Sequence, residues 1–142
     1  MVITRFAILS KSKFCRLNGI MESPYKGKTG LRRVINAWGY SCEGIKAAFI
    51  HEDAFRTEVF LSVMLIPLAF YLGHSGIERA IMIASVLLVL IVELLNSGIE
   101  AVVDRVSIEH HLLAKRAKDI GSAAVFFALV NAVVVWVLLI IG

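Results

Sequence analysis

Four side chains that prefer water recur inside an otherwise apolar stretch. In IMIASVLLVLIVELLNSGIEAVVDR, Glu93, Asn96, Glu100 and Asp104 are separated by three, four and four residues, which places them on one helical face. A carboxylate in such a run is costly against lipid. It is normally turned toward protein or an aqueous cavity, where its default role is functional. The plainer alternative is a polar seam that joins helices through hydrogen bonds. Two glutamates with Asn and Asp on one stripe are more than packing requires. Further carboxylates flank the apolar blocks: Glu52, Asp53 and Glu58 before the first, Glu109 and Asp119 after the second. Hard oxygen ligands combined with cationic Arg33, Arg116 and Lys118 are what a Mg²⁺–polyphosphate site needs. The metal takes carboxylate and phosphate oxygens while Arg and Lys neutralise the remaining charge. That constellation suggests phosphoryl transfer. Membrane topology and contact with anionic lipid account equally well for Arg116 and Lys118.

Other patterns carry less. Residues 22–29, ESPYKGKT, end like a phosphate-binding loop, but Glu22 stands at the required first glycine and no buried strand precedes it. His51, His74, His110 and His111 have no zinc spacing. No GxSxG or Cys/His pair is present. Cys15 and Cys42 lack CxxC or metal-ligand spacing and are read as reduced thiols. His111 is a possible polar contact for a nucleotide, or an ordinary interfacial histidine.

The elements that must position the stripe follow from composition. Of 142 residues, 58% are hydrophobic and 18% charged, and the mean hydropathy is +0.80. This excludes an ordinary soluble enzyme. The apolar residues form three blocks, about 54–72, 79–103 and 120–141. Each is long enough at about 1.5 Å per residue to cross about 30 Å of hydrocarbon, with Pro67 tolerated inside the first. Before them, Leu31, Val34, Ile35 and Trp38 recur at i, i+3, i+4 and i+7 beside Arg32 and Arg33. That spacing predicts an amphipathic surface helix over about 31–50, loosened or bent at Gly39 and Gly44. The expected fold is an all-α membrane protein of one surface helix and three transmembrane helices. Residues 1–30, with Arg5, Lys11 and Lys13 interrupting any secretory apolar run, are expected to be a disordered extension without a cleaved signal. Residues 31–142 make up the membrane domain.

Ten of the 15 Lys and Arg precede the first block or lie at its start, Arg79 lies by the first loop, and Arg105, Lys115, Arg116 and Lys118 occupy the second connection. The net charge is +4. The positive-inside bias therefore puts the N-terminus and the second connection in the cytoplasm.

Two longer motifs go further. ELLNSGIEAVVDR (93–105), followed by Glu109-His110-His111 and RAKDIGSAAV (116–125), closely resembles the bacterial integral-membrane diacylglycerol kinase family, as does GYSCEGIKAAFIHEDAFRTE (39–58). The resemblance covers roughly Leu31 to the C-terminus. It implies a homotrimer of three-span subunits in the bacterial inner membrane, with active sites shared between subunits. The implied reaction transfers the γ-phosphoryl of MgATP to the free hydroxyl of diacylglycerol, giving phosphatidic acid, and involves no nucleic acid. By the same resemblance Glu93 is the general base, and Glu52 and Glu100 hold Mg²⁺ on the ATP phosphates. Arg33, Tyr40, Glu52, Glu100, Glu109, His111, Lys118 and Asp119 match nucleotide-side positions. Lys46, Phe49, Phe55, Arg56, Glu58, Glu93, Asn96 and Ser122 match the lipid side. Trp38, Gly98, His110 and Leu112 depart from the family pattern, but none is a proposed base or metal ligand.

Three competing readings remain at the level of sequence. A polyprenol kinase would share these catalytic motifs, although VDR, RAKDIGSAAV and GYSxxG favour diacylglycerol. A small oligomeric transporter would use Glu93 and Glu100 as a relay. A scaffold would use the stripe only to hold helices together.

Overall fold

The computed structural model describes residues 31–106 and 112–142, with side chains from residue 33 onward. Helix α1 spans Leu31–His51, α2 Asp53–Leu72, α3 Gly76–Val106 and α4 Leu112–Ile141. Among the described residues there is no strand. The chain divides after Ser41 into two units. The second, Cys42–Gly142, contains the end of α1 and all of α2, α3 and α4. The expected segment 1–30 and the connection carrying Glu109, His110 and His111 lie outside the described residues.

Helices α2, α3 and α4 are each long and apolar enough to cross a membrane. The protein is therefore a multi-pass membrane protein. Two of these helices exceed the hydrocarbon. At about 1.5 Å per residue, the 31 residues of α3 and the 30 of α4 each reach about 45 Å, against about 30 Å of bilayer core. This is why α4 begins at Leu112 rather than near Ile120. Its first two turns are polar, so hydropathy does not mark them, but they continue the same backbone hydrogen bonding. Helix α1 likewise runs unbroken through Gly39 and Gly44, neither of which interrupts it. Pro67 lies inside α2, also without a break.

The turn between α2 and α3 is built by local chemistry. Gly73 ends α2 with its N–H donating to Ala69 O at 3.0 Å. A side chain there would meet Arg79 Cγ at 2.7 Å and Ala69 O at 3.0 Å, and Arg79 Nε donates to Gly73 O at 2.9 Å across that gap. Ser75 and Glu78 form a capping box at the start of α3. Glu78 N–H donates to Ser75 Oγ at 3.2 Å, and the Glu78 carboxylate accepts from the Ser75 hydroxyl at 2.9 Å and from His74 N–H at 2.8 Å. A three-residue connection thus reverses the chain, leaving α2 and α3 antiparallel neighbours.

Helix α3 packs against both α2 and α4. Its buried residues Met82, Ser85, Val86, Val89 and Glu93 form one stripe. The partners present small side chains, Ser62 and Ala69 on α2 and Gly121 and Ala128 on α4, which let helix backbones approach closely where lipid supplies no hydrophobic drive. The two buried serines are satisfied within their own helices: Ser62 donates to Val59 O and Ser85 to Met82 O, both at 2.7 Å. Most large apolar side chains point outward instead, among them Phe60, Tyr71, Ile91, Leu95, Phe127 and Leu138. That is the expected distribution for helices solvated by lipid or by further copies of the chain.

Candidate active site

The topology gathers distant residues at one end of the second unit. The start of α2, the end of α3 and the start of α4 share one side of the membrane, so Glu52, Glu100 and Lys118 meet there although 66 residues separate the first from the last. Glu52 occupies the break between α1 and α2. Its backbone is extended, and its carboxylate makes no capping hydrogen bond to α2, so that side chain is left for another role. The turn around it is held by others. Arg56 pairs with Asp53 and donates to Phe49 O at 3.0 Å and Ile50 O at 2.9 Å, closing the carbonyl end of α1. Phe49 also packs its ring against Phe60, with centroids 6.3 Å apart.

Along α3 the carboxylate stripe is graded. Glu93 is buried, at 4% exposure; Asn96 and Glu100 are half-buried, and Asp104 is exposed. Glu93 lies within electrostatic reach of three other carboxylates, Glu58, Glu100 and Glu52. Asn96 Nδ2 donates to Glu100 Oε1 at 3.0 Å. Lys118 on α4 closes the arrangement from above, with Nζ 2.6 Å from Asp104 Oδ1 and with Glu100 and Glu52 also in electrostatic reach. Among the described residues no ion pair engages Glu52, Glu93 or Glu100. Like charges crowded where the dielectric is low repel strongly, so this group is suited to receive a cation. No three His, Cys, Asp or Glu among the described residues form a ready-made cage. Mg²⁺ needs none, because it is commonly held by one or two carboxylates together with substrate phosphates and water. The donor set around Glu52 and Glu100, hard oxygens in excess of positive charge, fits that ion.

Below the carboxylates, a cleft of about 370 Å³ opens between α2, α3 and α4. Leu61, Leu65, Val86, Leu129 and Val133 line it, and Glu58 is its one charged wall residue. The ring nitrogen of Trp136, another wall residue, is buried without a hydrogen-bond partner.

The structure therefore brings together Glu52, Glu58, Glu93, Asn96, Glu100 and Lys118. Asp119, next to Lys118 on α4, is exposed, with Lys115 Nζ 3.9 Å away. Lys46 and Ser122 are exposed, whereas Phe55 is buried in the bundle core. Arg33 and Tyr40 are exposed on the part of α1 that belongs to the first unit. Glu109 and His111 lie outside the described residues. Two participants escaped the sequence reading. Asp104 was visible on the stripe, but its pairing with Lys118 depends on the register of two helices. Gly121, against which Asn96 packs, offered only the oddity of a glycine in an apolar helix.

Comparison with known proteins places the chain among relatives of one kind. The prokaryotic diacylglycerol kinase family matches residues 39–140. A diacylglycerol kinase of Pseudomonas aeruginosa is 60% identical over 120 residues, covering 84% of this chain and 98% of that protein. One from Haemophilus influenzae is 56% identical over 108 residues, 76% of this chain and 92% of the relative. One from Escherichia coli is 50% identical over 111 residues, 78% and 91% respectively.

Proposed function

Because the chain belongs to the prokaryotic diacylglycerol kinase family, we propose that it is a diacylglycerol kinase of the bacterial inner membrane whose phosphoryl donor is MgATP and whose product is phosphatidic acid. The observation that carries the mechanism is the convergence of Glu52, Glu93 and Glu100 with Lys118 at one end of the bundle. The N-terminus and the connection between α3 and α4 face the cytoplasm, where ATP is found. Three subunits assemble with shared sites, which surrounds carboxylates that one chain leaves without counter-charge.

Glu93 accepts the proton of the lipid hydroxyl as that oxygen attacks the γ-phosphorus. The bond from the γ-phosphorus to the β,γ-bridging oxygen breaks, ADP leaves, and phosphatidic acid forms. Glu93 is seven residues from Glu100, about 10 Å along α3, so the base lies deeper than the metal ligand. That order matches an acceptor whose chains stay in hydrocarbon and a donor that stays in water. The apolar cleft beside Glu58 suits an acyl chain. Glu52 and Glu100 would hold Mg²⁺, which when bound neutralises phosphate charge and orients the γ-phosphoryl group. Lys118 and Arg33 add positive charge to the phosphates, and Tyr40, Glu109, His111 and Asp119 complete the nucleotide side. Lys46, Phe49, Phe55, Arg56, Asn96 and Ser122 line or support the lipid side.

The test is MgATP-dependent phosphorylation by the purified protein in detergent, with diacylglycerol and polyprenol assayed in parallel and Glu93→Gln as control. Phosphatidic acid that disappears in the variant is the expected result. Product from polyprenol alone would change the acceptor, and no product from either, in an assembled oligomer, would overturn the kinase reading.

A further inference from the structure

We infer that Gly121 is a positioning residue: its missing side chain forms the slot on α4 in which the Asn96 amide lies, and that amide in turn holds the Glu100 carboxylate. The inference rests on the proposed role of Glu100 as a ligand for the ATP-bound metal.

Gly121 differs from the other helical glycines. A side chain at Gly39, Gly44, Gly76 or Gly98 would meet nothing within 4 Å. At Gly121 a Cβ would overlap Asn96 Oδ1 and lie 3.2 Å from Asn96 Cγ. Gly121 is also one of only two buried residues on α4, the other being Ala128. Glycine is a poor helix former, about 1 kcal/mol worse than alanine at an interior position, so helix propensity alone does not favour it here.

The second observation comes from the amide itself. Asn96 Nδ2 donates to Glu100 Oε1 at 3.0 Å. A carboxylate accepts and does not donate, so the amide nitrogen must face Glu100 and the amide oxygen must face the other way. That oxygen is buried and has no hydrogen-bond partner. It is directed at the hydrogen that glycine carries in place of Cβ, a contact in which a weak Cα–H···O interaction is available. The amide is thus fixed at both ends. Alanine at 121 would press on the tip of a short side chain rather than on backbone, so Asn96 would give way. Its rotation would withdraw Nδ2 from Glu100. Gly121 therefore acts on Glu100 without touching it.

The experiment compares wild type with Gly121→Ala, Asn96→Ala, the double variant, Gly98→Ala and Glu100→Gln, all as detergent-purified oligomers. It reads Mg²⁺ half-saturation at fixed ATP, both of turnover and of ATP binding measured without lipid, and KM for diacylglycerol. Loss of one hydrogen bond to a charged group corresponds to about a tenfold change. Gly121→Ala is expected to raise the Mg²⁺ requirement about tenfold with the KM for lipid unmoved, and Gly98→Ala to match wild type. In the Asn96→Ala background the added Gly121→Ala should cost nothing further, because the slot is already empty. An additive loss in the double variant would overturn the inference, as would a normal Mg²⁺ titration for Gly121→Ala alongside a shifted one for Glu100→Gln. If Glu100→Gln itself titrates normally, the metal-ligand reading fails first, and the inference fails with it. If Gly121→Ala does not assemble, recovery of assembly in the double variant supports the slot, and continued failure overturns it.

Discussion

Replacing Glu93 by Gln separates chemistry from architecture. The side chain is 4% exposed and faces the interior between α3 and its neighbours, and Gln fills the same volume with the same rotatable bonds. What the substitution removes is the capacity to accept a proton and one negative charge beside Glu58, Glu100 and Glu52. General-base catalysis contributes typically about 10²–10⁴ in rate, which is about 3–5 kcal/mol of barrier. Turnover should fall by that factor. The repulsion within the carboxylate group should ease or stay as it is, so the melting temperature of the ATP-free oligomer should be unchanged or higher. Glu93→Asp sharpens the comparison, since it keeps the charge and draws the carboxylate back by about one bond length; misplacement by about 1 Å can cost about 10²-fold. The assay is single-turnover phosphorylation of diacylglycerol at saturating MgATP, with thermal unfolding followed on the same samples. Turnover within tenfold of wild type for Glu93→Gln would refute the base assignment. A fall in rate that tracks loss of the oligomer would show that Glu93 is a structural seam residue.

Other perturbations test the remaining parts of the arrangement. Glu52→Gln and Glu100→Gln should each raise the Mg²⁺ needed for half-maximal activity and weaken ATP binding, read by titration at fixed lipid; an unshifted curve removes that residue as a ligand. Asp104→Asn releases Lys118 from its 2.6 Å contact, leaving Glu100 and Glu52 as the anions within reach, so KM for ATP should change several-fold while KM for diacylglycerol holds. Equal changes in both would contradict the separation of the two substrates along α3. Gly73→Ala should lower the melting temperature without altering KM for either substrate, because its Cβ would lie 2.7 Å from Arg79 Cγ and displace the Arg79–Gly73 hydrogen bond. Ser75→Ala, at the same turn, removes the cap of α3 and should cost about 1 kcal/mol, again with kinetics intact.

The fold was readable because the bilayer leaves few choices. Apolar runs of bilayer length must be helices, and the charge between them fixes where they end. The stripe from Glu93 to Asp104 was equally legible, since it depends only on helical periodicity within one element. Legibility stopped where two elements had to be placed against each other. Lys118 and Asp119 are adjacent in sequence and chemically suited to one role, yet Lys118 reaches Asp104 whereas Asp119 turns toward Lys115. That distinction is set by the rotation of α4 about its axis, which no periodic signal reports, because α4 is apolar nearly all round. Arg56 shows the same limit: its contacts with two carbonyls at the end of α1 and with the Asp53 carboxylate depend on how the chain turns between α1 and α2, which periodicity does not report. The polar start of α4 was hidden for a further reason. Hydropathy locates the hydrocarbon, not the helix, and the two diverge wherever a helix projects into water.

That projection bears on how the proposed reaction could join two substrates that do not share a solvent. Helix α3 is about 15 Å longer than the hydrocarbon is thick, so one rigid rod passes from the apolar interior into water. Glu93 lies on the buried part, Glu100 at half-burial and Asp104 in the open. A chemically similar side chain therefore meets three environments, and its work changes with depth. At Glu93 the carboxylate is buried between helices, at the depth where the proposed lipid acceptor would meet it. At Glu100, half-burial would leave a bound Mg²⁺, in the proposed role, open to phosphate oxygens and water. At Asp104, the charge is spent on fixing Lys118. A loop could supply the same three groups, but not the spacing between them, because its backbone would need partners that the membrane does not offer. A helix satisfies its own backbone and holds Glu93 and Glu100, the proposed base and metal ligand, about 10 Å apart. In the proposed reaction the polyphosphate would bring its γ-phosphoryl group down toward the lipid hydroxyl. Any change that shortens, bends or rotates α3 between Glu93 and Glu100 should therefore be more harmful than an equal change elsewhere in the bundle.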